Sequence, residues 1–174
     1  VDEALINVSC PTINKCIVYR NTGIEINFNR RDVWWHEILP SKEKTVKPEP
    51  MSSEDLLFIL YTSGSTGRPK GIIHSTAGYL LNCIITNKWV FDLKNDDIFW
   101  CTADIGWITG HSYVVYGPLA TGATILIYDG APTFPKPDRF WDIIEKNKVT
   151  IFYTAPTAIR TLMKLGEDLP DKYN

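Results

Sequence analysis

The sequence predicts an α/β fold in which strands and helices alternate around a largely parallel sheet. Three observations carry this. Short apolar runs recur at 56–61, 97–102, 123–128 and 150–154, each too short for a helix core and rich in β-formers. Helical spacing of apolar residues fills the intervals between them. Alternation of this kind points to parallel strands joined by right-handed crossovers.

The elements follow in order. Residues 15–20 (KCIVYR) and 24–28 (IEINF) read as two strands, and Asn21-Thr22-Gly23 between them marks a turn, so a hairpin is expected. Residues 31–39 (RDVWWHEIL) carry helical spacing and stop at Pro40. Residues 40–50 are polar, with prolines at 40, 48 and 50, and read as a linker. The expected organisation is therefore the end of a preceding subdomain plus linker over 1–50, then an α/β subdomain over 51–174. In the second part, Leu56 to Tyr61 is expected to be a buried strand leading through a glycine-rich turn into a helix over about 75–88. Strands at 97–102, 123–128 and 150–154 are separated by helices over 112–120 and 137–146, and Pro156 opens the last helix.

Composition narrows the function classes. Of the 174 residues, 44% are hydrophobic and 22% charged, with six Trp, eight Tyr and seven Phe, which fits a packed domain rather than a disordered segment. A net charge of -2 gives no broad electrostatic reason to expect nucleic acid or an anionic membrane. No apolar run approaches the roughly 20 residues of a spanning helix, and no signal peptide opens the chain. Cysteines 10, 16, 83 and 101 form no CxxC pair and no zinc spacing, so reduced thiols in a reducing, cytoplasmic setting are expected. No metal site is expected in these residues. The chain opens on Val1 and ends at Asn174 without a cap or tail, and it is expected to be a piece of a larger protein.

The most informative stretch is Tyr61-Thr62-Ser63-Gly64-Ser65-Thr66-Gly67-Arg68-Pro69-Lys70-Gly71. Its glycines permit close backbone approach, its backbone N–H groups can converge on an anion, four hydroxyls add donors, and Lys70 adds a mobile positive charge. Such a loop suits a polyphosphate. It does not match GxxxxGK[ST], because Pro69 precedes Lys70 and Gly71 follows it, leaving no hydroxyl for Mg²⁺.

The loop resembles the signature of the adenylate-forming superfamily, which includes acyl-CoA synthetases, luciferases and peptide-synthetase adenylation domains. Further stretches, Arg31-Asp32-Val33-Trp34-Trp35-His36-Glu37, Trp100 through Tyr113, Tyr116 through Thr124 and Tyr153 through Arg160, resemble the acetyl-CoA synthetase branch. The resemblance covers nearly the whole chain and implies part of the large N-terminal domain of such an enzyme. It implies that Thr62, Ser63, Gly64, Ser65, Thr66, Gly67 and Lys70 bind the phosphates of ATP. It implies an acyl pocket of Trp107, Ile108 and Thr109, and CoA contacts from Thr109, Thr133 and Ala155. Thr133 stands where relatives usually carry Asn, which keeps a hydroxyl and loses the amide. The reaction implied is acetate plus ATP, with Mg²⁺, to acetyl-adenylate, then transfer to CoA with release of AMP and pyrophosphate. The family's adenine-binding Gly-Glu-Pro stretch, its Trp-Gln-Thr-Glu motif and its C-terminal lysine are absent from these residues, so the isolated chain is expected to be inactive. A propionyl-CoA or other short-chain synthetase, and a non-catalytic nucleotide-binding module, stay open as alternatives at this stage, as does oligomeric state. His36, His74, His111 and Asp104 read as structural residues rather than catalytic ones.

Changing Thr66 and Lys70 together to Ala in the longer protein is expected to lower acetate-dependent pyrophosphate release by about a hundredfold or more, the size of losing preorganised donors to a reacting phosphate. Unchanged release in that variant would remove the phosphate-gripping role of the loop.

Overall fold

The computed structural model describes residues 1–7, 12–39, 45–63, 67–166 and 168–173. The chain divides into two units, Val1–Pro50 and Met51–Asn174.

In the first unit, helix α1 (Asp2–Asn7) is followed by strand β1 (Cys16–Val18), strand β2 (Asp32–Trp34) and a short helix α2 (Trp35–Ile38). The expected hairpin is not formed. β1 pairs in parallel with β2, in the register Cys16↔Asp32 to Val18↔Trp34, and residues 24–28 form no strand. The physical reason lies in the turn before β2. Asp32 accepts the Asn29 backbone N–H at 2.7 Å, and its own N–H donates to Asn29 O at 2.9 Å. That turn brings Phe28 flat onto Trp34 at 4.6 Å and leaves 24–28 running out to solvent. Helical spacing over 31–39 likewise misled at its start, because Trp34 is extended (φ -73, ψ 132) and the helix begins only at Trp35. Arg31 pairs with Asp2, tying α1 to this turn, and the Arg20 guanidinium stacks over Trp34 at 4.4 Å.

The second unit holds two sheets. Strands β3 (Leu56–Thr62) and β4 (Lys70–Ser75) form an antiparallel hairpin, registered from Leu56↔Ser75 to Thr62↔Lys70. This corrects two expectations. The glycine-rich loop joins two strands of a hairpin rather than a strand and a helix, and β3 is not buried on both faces. Phe58 and Leu60 are half-buried while Leu57, Ile59 and Tyr61 on the other face are exposed, the period-2 pattern of a one-sided sheet. The second strand was hidden by its composition, since Gly71 and His74 flank only two β-branched residues.

Helix α3 (Thr76–Trp89) follows directly. Strand β5 (Ile98–Cys101) then forms the centre of a parallel sheet ordered β6-β5-β7, with β6 (Thr124–Leu126) and β7 (Ile151–Tyr153) on its two sides. The β5–β6 connection contains helix α4 (Ile108–Gly110), a π-helical stretch (His111–Tyr116) and helix α5 (Gly117–Ala120). The β6–β7 connection contains helix α6 (Arg139–Asn147), and helix α7 (Pro156–Met163) follows β7, before a terminal 3-10 turn (Pro170–Lys172).

The core is built on β5. Side chains alternate across a strand, so Trp100 faces one layer and Phe99 and Cys101 the other. Trp100 packs with Phe140 and Ile143 of α6 and Leu162 of α7. Phe99 and Cys101 pack with Val114 of the π-helical stretch. Both Trp100 and Phe99 are 1% exposed. The strand bases are tied by Asp97, which accepts Lys94 N–H at 2.7 Å and the Thr150 hydroxyl at 2.8 Å. Those two donors hold its carboxyl below the usual range.

Trp100→Ala is expected to cost about 3–5 kcal/mol, the range for emptying an aromatic site in a packed core. The check is a chemical-denaturation midpoint, with an unchanged denaturant slope confirming that the loss is in stability.

Candidate functional site

The carboxyl ends of β5 and β7 lie side by side, the place where open α/β sheets receive ligands. The Thr102 N–H donates to Tyr153 O at 3.0 Å, extending the ladder one residue past the strand end. The hydroxyls of Thr102 and Thr154 hydrogen-bond each other at 2.5 Å across the gap. Beyond them the chain turns sharply. Asp104 Oδ1 accepts the Gly106 N–H at 2.5 Å and Asp104 O accepts the Trp107 N–H at 3.1 Å, a turn that ends at Trp107 just before α4. Gly110 seats this turn, because a Cβ there would stand 2.2 Å from Asp104 O and 2.7 Å from the Ile105 Cα.

Between these segments lies a cavity of about 650 Å³, within the range of small-molecule sites. One wall runs over 101–104 with Trp107 and Thr109, and the other over 153–156 with Ala158. Its polar groups are the hydroxyls of Thr102, Thr109 and Thr154, the Asp104 carboxylate, the Tyr153 phenol and the Cys101 thiol. Burial pushes the Cys101 thiol and the Tyr153 phenol up, so both are neutral at physiological pH. The cavity therefore offers hydrogen-bonding and shape, without an activated nucleophile of its own. Among the described residues no group of three or more His, Cys, Asp or Glu could hold a metal ion.

The structure brings together Trp107, Thr109 and Ala155, which all line this cavity. Ile108 is half-buried and does not line it. It is the first residue of α4, and successive helical side chains diverge by about 100°. Thr133 lines a separate pocket of about 220 Å³ with Pro132, Thr157 and Thr161 of the far side of α7, and Ala158 is common to both. Thr62 and Lys70 face each other as the last pair of the β3–β4 ladder, with Ser63 and Gly67 in the connection and all four exposed. Gly67 takes φ +78, a left-handed conformation that glycine accepts freely. Gly64, Ser65 and Thr66 lie outside the described residues. Thr62, Ser63, Gly67 and Lys70 do not line the cavity.

The sequence reading missed Thr102, Thr154, Tyr153 and Cys101 as lining residues. A signal for the two threonines was present: the runs DIFWCT and TIFYT each end on Thr followed by Ala, which places matching hydroxyls just past two parallel strands. Two of the histidines make ring contacts. His36 stacks on Trp34 at 5.8 Å and His74 lies against Phe58 at 4.7 Å. Cys16, Cys83 and Cys101 are free thiols, and Cys10 lies outside the described residues. No helix among the described residues is long and apolar enough to cross a membrane.

A family model described as AMP-binding enzyme matches residues 5–174, and the chain belongs to that family. Among curated proteins it is similar to the acetyl-coenzyme A synthetase of Methylobacillus flagellatus, 59% identical over 100% of this chain and 27% of the relative. It is similar also to those of Chromobacterium violaceum, 58% identical over 100% of this chain and 27% of the relative, and Rubrobacter xylanophilus, 57% identical over 99% and 27%. The chain thus spans about a quarter of the length of the curated relatives it matches.

Gly110→Ala is expected to lower stability by about 1–3 kcal/mol, because the added methyl must displace the Asp104–Ile105 backbone. A thermal midpoint equal to that of the unaltered protein would show that the turn has room to spare.

Proposed function

We propose that this chain is the phosphate-gripping and acyl-binding part of an enzyme that joins acetate to CoA. ATP would first convert acetate to acetyl-adenylate with release of pyrophosphate, and CoA would then displace AMP. The observation that carries this reading is the convergence of Trp107, Thr109 and Ala155 on one cavity at the carboxyl ends of β5 and β7, in a chain 59% identical to an acetyl-coenzyme A synthetase.

The proposed division of labour follows from residue type and place. Thr62, Ser63, Gly64, Ser65, Thr66, Gly67 and Lys70 would hold the β- and γ-phosphates of ATP through backbone N–H groups, hydroxyls and one cation. Adenylyl transfer depends on positioning and on neutralising charge, which is what such a loop supplies. Trp107 and Thr109 would enclose the small acyl group, and Ile108, expected there with them, does not line the cavity. Thr109 would border the CoA thiol end, Ala155 would lie near the CoA nucleotide, and Thr133 would meet CoA on the other side of α7. Mg²⁺ would accompany ATP. The substrates are small molecules, and neither nucleic acid nor membrane is part of this reading. A reducing compartment such as the cytoplasm is part of the same reading.

The test is AMP release by the full-length protein with ATP, CoA and a series of carboxylates. Acetate is expected to give the highest kcat/KM, and propionate to fall by about 10- to 200-fold, the reach of one methylene in an apolar pocket. The isolated 174-residue chain is expected to release no AMP. Absence of acetate-dependent AMP from the full-length protein would overturn the reading.

A further inference from the structure

The phosphate-loop hairpin and the cavity share no lining residue, yet one side chain touches the framework of both. Tyr79, on the first turn of α3, is 6% exposed. Its ring packs edge-on against Phe58 of β3 at 4.9 Å and His74 of β4 at 5.6 Å. Phe58 and His74 themselves stand 4.7 Å apart. These rings sit four residues inward of Thr62 and Lys70, the two ends of the loop. In the other direction the Tyr79 hydroxyl lies 2.9 Å from Ser112 Oγ, and either group can donate. Ser112 is 7% exposed and belongs to the π-helical stretch that continues α4, three residues past Thr109. Helical segments with i→i+5 bonding are uncommon and concentrate at functional places. Here the stretch continues directly from α4, which carries Thr109 and follows Trp107, both of them lining the cavity. Burial raises the Tyr79 phenol, so it remains a neutral hydrogen-bonding group at working pH.

We propose that Tyr79 and Ser112 are a positioning pair that locks the turn bearing Trp107 and Thr109 to the hairpin bearing the phosphate loop, so that acyl and phosphate groups are held at a fixed separation. The inference rests on the acetate-activating reading above. Three contacts carry it: ring packing to the hairpin, an edge-on ring contact with Tyr116 at 5.8 Å, and one buried hydrogen bond to the π-helical stretch. Neither residue touches the cavity, so any effect on substrate is exerted through the segments they hold.

The experiment uses the full-length enzyme and the variants Tyr79→Phe, Ser112→Ala and the double variant, each assayed for acetate KM, kcat and thermal midpoint. Each single variant removes the buried Tyr79–Ser112 hydrogen bond and is expected to unfold at a lower temperature. The double variant removes both hydroxyls and should recover toward the unaltered protein. Acetate KM is expected to rise about fivefold in all three, the size of one neutral hydrogen bond, with kcat changed less. Phe58→Leu, on the hairpin side, is expected to raise acetate KM in the same direction and to add little on top of Tyr79→Phe. A merely structural role would make KM track stability, so a double variant with acetate KM restored would overturn the proposal, as would unchanged KM in every variant. If the unaltered enzyme itself fails to turn over acetate, the functional reading fails and the inference falls with it. If that enzyme is active and the variants match it, the inference alone fails.

Discussion

Burial of β5 on both faces is the constraint on which the rest of this chain depends. A central parallel strand four residues long has few hydrogen bonds of its own to hold it. Its place is set by Trp100 on one side and by Phe99 and Cys101 on the other. Burying a large aromatic side chain contributes on the order of a few kcal/mol, more than any single ladder bond. Because β6 and β7 register on β5 residue by residue, fixing β5 also fixes where all three strands stop. The cavity is the consequence. Its two walls begin at the last residues of β5 and β7, and the Thr102–Thr154 bond closes the seam between them.

The same logic explains why the two sets of candidate site residues differ in character. The cavity group, Trp107, Thr109 and Ala155, hangs from a sheet buried on both faces. The loop group, Thr62 through Lys70, hangs from a hairpin covered on one face, at its exposed end. A ligand of defined shape is suited to the first setting, and a highly charged, strongly hydrated phosphate chain to the second, where donors can close around it. The hairpin is nevertheless not independent. Phe58, His74 and Tyr79 make a ring cluster with centroids 4.7 to 5.6 Å apart, and that cluster is its anchor to α3.

Much of the parallel sheet was legible in the sequence, and the reasons are particular. The runs around Phe99, Ile125 and Phe152 are short, apolar and bounded by turn residues, so strand period and length agreed. Helices α6 and α7 showed their faces and, for α7, a proline at the first turn. What was not legible depended on partners distant in sequence. Residues 24–28 alternate like a strand, yet Asp32 at the Asn29 turn delivers β2 to β1 instead. Leu56–Tyr61 is apolar on both faces, which reads as a buried strand, yet its partner is the weakly marked Lys70–Ser75. Local alternation records the capacity to form a strand, and pairing is decided by which neighbour the turn delivers.

For the candidate site, the sequence offered a long local pattern in the loop from Thr62 to Lys70. The sequence was silent where two residues far apart meet. Thr102 and Thr154 are separated by 52 positions, and each alone is an ordinary strand-terminal threonine. Only the parallel pairing of β5 with β7 places them in register, so their joint role is a property of topology rather than of either motif. Tyr79 and Ser112, 33 positions apart, belong to the same class. A tyrosine at the start of a helix and a serine beside a histidine carry no chemical signature, yet their 2.9 Å contact joins the hairpin to the turn that faces the cavity. Residues that position others are thus harder to read from sequence than residues that would touch a ligand, because geometry acts through the fold while ligand contact acts through the side chain's own chemistry.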